Sequence, residues 1–124
     1  MKKCIENSYA YISIQGGILF FEYKDQVTIG LQQAIEVVAT RIKLQNGIPY
    51  PILCDIRGIK NIDKDARRYL STEGSLLSKA VALISDTPLS HIVSELYVKN
   101  NNPPVPTKVF NEMEEGLAYL KSFL

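Results

Sequence analysis

The sequence predicts an α/β domain in the order β-β-α-β-α-β-α-β-α, with a mostly parallel sheet, an antiparallel N-terminal hairpin and packed helices. Three observations lead there. Tyr9 to Gln15 alternates in polarity and runs through Gly16-Gly17 into a second apolar, aromatic run, the pattern of a β-hairpin. Ala80 to Ile84 is apolar without alternation, as a strand covered on both faces requires. Between the short apolar runs lie longer stretches with apolar residues at helical spacing, and strands alternating with helices imply right-handed crossovers between parallel strands.

In the first strand Tyr9, Tyr11, Ser13 and Gln15 face one way, and Ala10, Ile12 and Ile14 face the other, which makes it half-buried. Gly16 and Gly17 supply two residues that tolerate positive φ in a tight turn. Ile18 to Tyr23 returns as an aromatic-rich strand, closed by Lys24, Asp25 and Gln26. Phe20, Phe21 and Tyr23 read mostly as core or edge-strand packing; the alternative is that Tyr9, Tyr11 and Tyr23 share one exposed amphipathic face, which would make this hairpin a homodimer contact.

Thr28 is the expected N-cap of a long helix. Leu31, Ala34, Ile35, Val38, Ile42 and Leu44 follow helical spacing, with Gln, Glu, Thr, Arg and Lys between them. Asn46-Gly47 stops this helix and Pro49 forbids its continuation. Pro51 to Ile56 is short, apolar and bounded by breakers, a buried strand. Asp63 caps the next helix, with Asp65 in its first turn and Ala66, Tyr69 and Leu70 on one face. Its end falls either at Glu73-Gly74 or beyond Leu77.

After the Ala80 to Ile84 strand, Thr87 and Pro88 read as N-cap and first residue of a helix. Leu89, Ile92, Val93, Leu96 and Tyr97 form its apolar stripe, and each such side chain contributes ~1.5–3 kcal/mol when fully buried. Asn100 to Pro104 ends it, and Thr107 to Phe110 is a short last strand. Asn111, with Glu114 three residues later, makes a capping-box-like start for a helix carrying Leu117, Ala118, Leu120 and Phe123.

The 124 residues suit one domain, read as residues 9–124 behind a tail of residues 1–8. At this size roughly two-thirds of the unfolded surface leaves water, enough for a sizeable core. Fourteen Lys+Arg against thirteen Asp+Glu give a formal charge of +1, which argues against a dedicated nucleic-acid binder or a polybasic membrane anchor. No apolar run approaches the ~18 residues that span a bilayer, so no stable membrane insertion is expected. The first residues, Met-Lys-Lys-Cys-Ile-Glu-Asn, do not lead into a secretory h-region. Two cysteines supply no disulfide framework, and a reducing cytoplasm is the expected compartment.

Residues 53–66 carry a family likeness. Leu53-Cys54-Asp55-Ile56 looks like a hydrophobic strand ending in an acidic residue, and Ile62-Asp63 follows at the spacing at which an Asp-Ser-Ser-Gly motif opens a helix. With the element order, and with Pro-Thr-Lys-Val-Phe-Asn-Glu-Met-Glu-Glu-Gly-Leu-Ala-Tyr-Leu at 106–120 as closing strand and helix, the chain resembles the STAS domain. That family is named for sulfate transporters and anti-sigma-factor antagonists, and the likeness covers roughly residues 9–124. In the antagonist branch a serine of the pair is phosphorylated by a partner kinase, which switches binding. Here the two serine positions hold Lys64 and Asp65, and the glycine position holds Ala66. The resemblance therefore implies the scaffold and a habit of binding a partner, without the kinase switch.

Asp65 places a permanent carboxylate at the phosphoacceptor position. An acidic residue in a first helical turn also offsets the macrodipole, worth ~0.3–1 kcal/mol. Arg57, Lys60, Lys64, Arg67 and Arg68 stand against Asp63 and Asp65, which suits either an anion site at a helix start or a solvated face. His91 is the only histidine, and Cys54 lies in a strand as a small buried hydrophobe. One histidine and two distant cysteines form no metal cluster. Gly16-Gly17 joins two strands and lacks phosphate-loop spacing. No catalytic residue, cofactor or metal is expected.

The sequence thus reads as a non-enzymatic regulatory or protein-interaction domain with an unidentified protein partner. Its recognition surface would comprise Asp55, Arg57, Asp63, Lys64, Asp65 and Arg67, with Asp86 and Ser90 beside them. The alternative is a carrier or sensor of a small molecule or lipid, in which Leu89-Ile92-Val93-Leu96 walls a cleft.

Overall fold

The computed structural model describes residues 3–87, 99 and 101–124. Its strands are β1 (Lys3–Glu6), β2 (Ala10–Gln15), β3 (Ile18–Tyr23), β4 (Val27–Ile29), β5 (Tyr50–Asp55), β6 (Ile59–Ile62), β7 (Ser78–Ile84) and β8 (Thr107–Phe110). The helices are α1 (Leu31–Gln45), α2 (Lys64–Thr72), continued by a 3-10 turn at Glu73–Ser75, and α3 (Met113–Lys121). Six strands form one sheet in the order β1-β2-β3-β5-β7-β8, and β4 pairs with β6 apart from it. The β1–β2 and β2–β3 pairings are antiparallel, while β3–β5, β5–β7 and β7–β8 are parallel. This is the mostly parallel sheet with an antiparallel N-terminal hairpin that the sequence predicts. The helix predicted from Thr87-Pro88 through Tyr97, with Ser90 and His91, lies outside the described residues.

Both faces of the sheet are covered. On one face Ile12, Ile14, Leu19, Phe21, Ile52 and Leu83 pack with Ala34 and Val37 of α1 and Ala66 of α2. On the other, Ile18, Leu53, Ala80, Ala82 and Ile84 pack with Leu120 of α3. Alternate residues of β7 therefore enter two different cores, which is why Ala80 to Ile84 shows no polarity alternation. Gly116 sets the depth of α3. A β-carbon there would lie 2.8 Å from Ile84 Cδ1 and 2.9 Å from Leu53 Cδ1.

Several local expectations are corrected. Residues 3–6 of the expected tail pair with β2, Lys3 opposite Ile14 and Glu6 opposite Tyr11. Thr28 belongs to β4, and Gly30 is the N-cap of α1, its N–H donating to Gln33 Oε1 at 2.9 Å. At the start of α3 the N-cap is Glu112 instead of Asn111, and no side chain caps it. The three tyrosines do not share a face: Tyr23 is buried beside Phe21, Tyr9 packs against the same core, and Tyr11 alone is exposed, under Lys24 Nζ. Gly16 and Gly17 have φ of 58° and 80°, the two positive values that a two-residue hairpin turn needs.

The stripe of α1 is also rotated from the expected one. Leu31 and Ile35 are exposed, and the buried positions are Ala34, Val37, Val38, Arg41 and Gln45. Arg41 is 3% exposed. Its Nη2 donates to the Gly74 carbonyl at 2.9 Å, and its Nη1 donates to the Leu76 carbonyl at 3.0 Å and to Gln45 Oε1. Gln45 Nε2 in turn donates to the carbonyls of Ile48 (2.9 Å) and Leu77 (2.8 Å). Two polar side chains of one helix thus satisfy the carbonyls of the α2–β7 connection, where Leu77 sits at φ 57°.

Two outcomes follow. Arg41→Met, which keeps the apolar stem but removes the charged hydrogen bonds to Gln45 and to the Gly74 and Leu76 carbonyls, should lower the unfolding free energy by about 1–3 kcal/mol in urea titration. Gly116→Ala should cost about 1–3 kcal/mol by the same measurement, because the added methyl meets two packed side chains.

Candidate functional site

The parallel strands β5, β7 and β8 end side by side, with Asp55 opposite Ile84 and Ile84 opposite Phe110. Asp55 closes the central strand β5 and is 6% exposed. A buried carboxylate needs partners, and Arg57, two residues on, provides three. The Arg57 backbone N–H donates to Oδ1 at 3.0 Å, Nε donates to Oδ1 at 2.9 Å, and Nη2 donates to Oδ2 at 2.7 Å. This is a two-pronged guanidinium–carboxylate contact closed by a turn of the same residues. The hydrogen bond to Asp55 comes first among the causes that hold the guanidinium further above its already high pKa, so Arg57 remains a cation. Nη1 reaches Asp86 Oδ2 at 3.5 Å. Gly58 fixes the next step of the chain. A β-carbon there would fall 2.4 Å from the Lys24 carbonyl oxygen, and the Gly58 carbonyl accepts from Val27 N–H at 3.2 Å.

Arg57 and Asp86 border an open cleft of about 760 Å³ at the strand ends, with Ser85, Thr87, Asn111, Glu112 and Met113. Asp63 belongs to a second group. It is the N-cap of α2, its Oδ1 accepting from Ala66 N–H at 2.8 Å, and its own N–H donates to the Ile29 carbonyl at 3.2 Å. Arg67 Nη1 donates to the Ile62 carbonyl at 3.1 Å, while its Nε is buried with no partner. Lys64 and Asp65 are exposed in the first turn of α2, where the Asp65 carboxylate complements the helix dipole. The structure therefore joins Asp55, Arg57 and Asp86 by direct contacts and sets Asp63 and Arg67 around the start of α2. Among the described residues no hydrogen bond or ion pair links the two groups. Ser90 lies outside the described residues.

Sequence reading missed β6, which separates Asp55 from Asp63. Ile59 and Ile62, three apart between polar residues, were its only mark. It also missed a cavity of about 80 Å³ between α1, α2 and the sheet, lined by Phe21, Tyr23, Val37, Val38, Arg41, Ile52, Cys54, Ile56, Ile59, Ile62, Leu70, Gly74, Val81 and Leu83. Protein interiors hold few voids larger than a water. Cys54 lines it from the central strand. Burial, followed by the nearby Asp55 carboxylate, pushes its thiol up to about 12, so at neutral pH it is protonated and a poor nucleophile. Among the described residues no group of three or more His, Cys, Asp or Glu is placed to hold a metal, and no helix is long and apolar enough to cross a membrane.

The model of a family described as a domain of unknown function, DUF7793, matches residues 12–124. No curated protein matches the sequence. Among solved structures the chain is similar to an uncharacterized protein of the DUF3478 family with a SpoIIAA-like fold, from Shewanella loihica PV-4. The TM-score is 0.58 at 16% identity, over 97% of this chain and 92% of that one. At that identity the likeness shows the fold, which is SpoIIAA-like and hence STAS-like.

The thiol chemistry is directly testable. In native protein at pH 8, iodoacetamide should label the exposed Cys4 and leave Cys54 unmodified over the same period, with both labelled in urea, as read by intact mass. Because the folded thiol holds its proton to higher pH than the unfolded one, stability is full below about pH 9 and declines between about 9 and 12.

Proposed function

This chain belongs to the DUF7793 family, and we propose that it is a non-enzymatic recognition domain that binds a protein partner at the carboxyl ends of its parallel strands. One observation carries the reading: the Arg57 guanidinium is held by two hydrogen bonds on the buried Asp55 at the tip of the central strand, with the Arg57 backbone N–H adding a third to the same carboxylate and Nη1 turned to Asp86 at the cleft. An arginine fixed in this way binds with little loss of rotamer freedom, which is what makes arginine anchors effective at interfaces. Open α/β sheets also favour ligands at this edge.

The proposed surface includes Lys64 and Asp65, both exposed in the first turn of α2. Neither can be phosphorylated as a serine is, so recognition there uses fixed charge. The partner would offer an acidic group to Arg57 and basic groups to Asp65 and Asp86. With Tyr11 the one exposed tyrosine of the hairpin, the strand ends are a better recognition surface than the hairpin face.

A partner recovered by cross-linking, then purified, tests this by calorimetric titration. Arg57→Ala and Asp65→Ala should each weaken its binding by about tenfold, or ~1.4 kcal/mol, while Asp65→Ser, lacking the charge, should behave like Asp65→Ala. Equal affinity for wild type and all three variants refutes the proposal.

A further inference from the structure

We infer that the cavity between α1, α2 and the sheet is a binding site for a small, neutral, apolar molecule of a few heavy atoms. Its walls are mainly hydrocarbon: Val37 and Val38 of α1, Leu70 of α2, and Phe21, Ile52 and Leu83 of the sheet. The polar groups in the lining are already committed or neutral. The Arg41 guanidinium donates to the carbonyls of Gly74 and Leu76 and to Gln45, and the Cys54 thiol keeps its proton. A guest here gains dispersion contacts, whereas one bringing its own charge would lose hydration.

Cys54 is a lining residue of the central strand. It lies in the central strand, paired with Phe21 on one side and Leu83 on the other, between Ile52 at 4% and Ile56 at 5% exposed. Cys54 itself is half-buried, because it borders the cavity. The volume sets the guest's size: about 80 Å³ is roughly half of the ~150 Å³ that accepts benzene in an engineered core. Gly74 provides a way to fill the space. A β-carbon there would meet Leu70 at 3.6 Å and Val38 Cγ2 at 3.9 Å, ordinary contact distances, so alanine fits and takes up room. This site is separate from the Arg57 surface, and its test needs no protein partner.

The full chain with 13C-labelled methyl groups is titrated with xenon and with cyclopropane, and with butanoate as the charged counterpart. Saturating shifts are expected at Val37, Val38 and Ile52, with dissociation constants in about the millimolar range for so small a guest. Ile18, Ile84 and Leu120 in the opposite core should not respond. Gly74→Ala combined with Val81→Leu should weaken cyclopropane binding by about tenfold; if that pair fails to fold, Gly74→Ala alone should weaken it measurably. Shifts that do not saturate, that spread equally over both cores, or that persist at full affinity in the filled variant overturn the inference. So does butanoate binding as tightly as cyclopropane.

Discussion

The central strands β5 and β7 are buried on both faces, and this constraint orders the rest of the molecule. Ile52 and Leu83 serve one core while Leu53, Ala82 and Ile84 serve the other, so neither strand can slip by one residue without reversing both sets. With the register held, the strand ends arrive together, and polar groups that cannot stay within either core emerge at one edge. Asp55 is the first of these. Its burial at the end of β5 requires a cation, and the nearest one along the chain, Arg57, turns back to meet it. The polar surface is thus a by-product of how the core terminates.

The clamp made by Arg41 and Gln45 performs a different task. It ties the C-terminal half of α1 to the connection between α2 and β7 through the backbone carbonyls of Gly74, Leu76 and Leu77. A methionine or leucine at position 41 would fill space but remove the guanidinium donor from the Gly74 and Leu76 carbonyls, leaving each only a long contact from Ser78 Oγ. Arg41 also borders the cavity. The helix layer is therefore positioned by polar bonds at one end and by apolar packing elsewhere, and the space between is one that neither fills.

Much of the architecture was legible because it follows from periodicity. The Gly16-Gly17 hairpin, the unbroken apolar run of β7 and the Asn46-Gly47 stop of α1, with Asn46 at φ 52°, all carry local signals that match the structure. Asp63 as the cap of α2 was equally readable, since a side-chain cap is a short-range event. What was not legible depends on partners distant in sequence. Arg41 and Gln45 follow Ala34 and Val37 at helical spacing, yet their polarity assigned them to the solvent side; only the carbonyls of Gly74, Leu76 and Leu77, over thirty residues away, reverse that assignment. β1 was lost among charged residues because an edge strand takes its order from β2, and β4 and β6 are too short to show a period. Within the site, Asp55 and Arg57 are two residues apart and were readable together, whereas the Arg57–Asp86 contact depends on β5 and β7 being neighbours.

Gly58 carries a consequence for how freely this edge of the sheet can vary. The chain crosses the Lys24 carbonyl so closely there that no side chain can be accommodated without moving backbone. Arg57, one residue earlier, inherits its direction from that crossing and from Asp55. Substitution therefore cannot re-aim it by small steps, and on the proposed reading any change of binding preference falls to the periphery, at positions such as Lys64, Asp65 or Asn111, around an immovable centre.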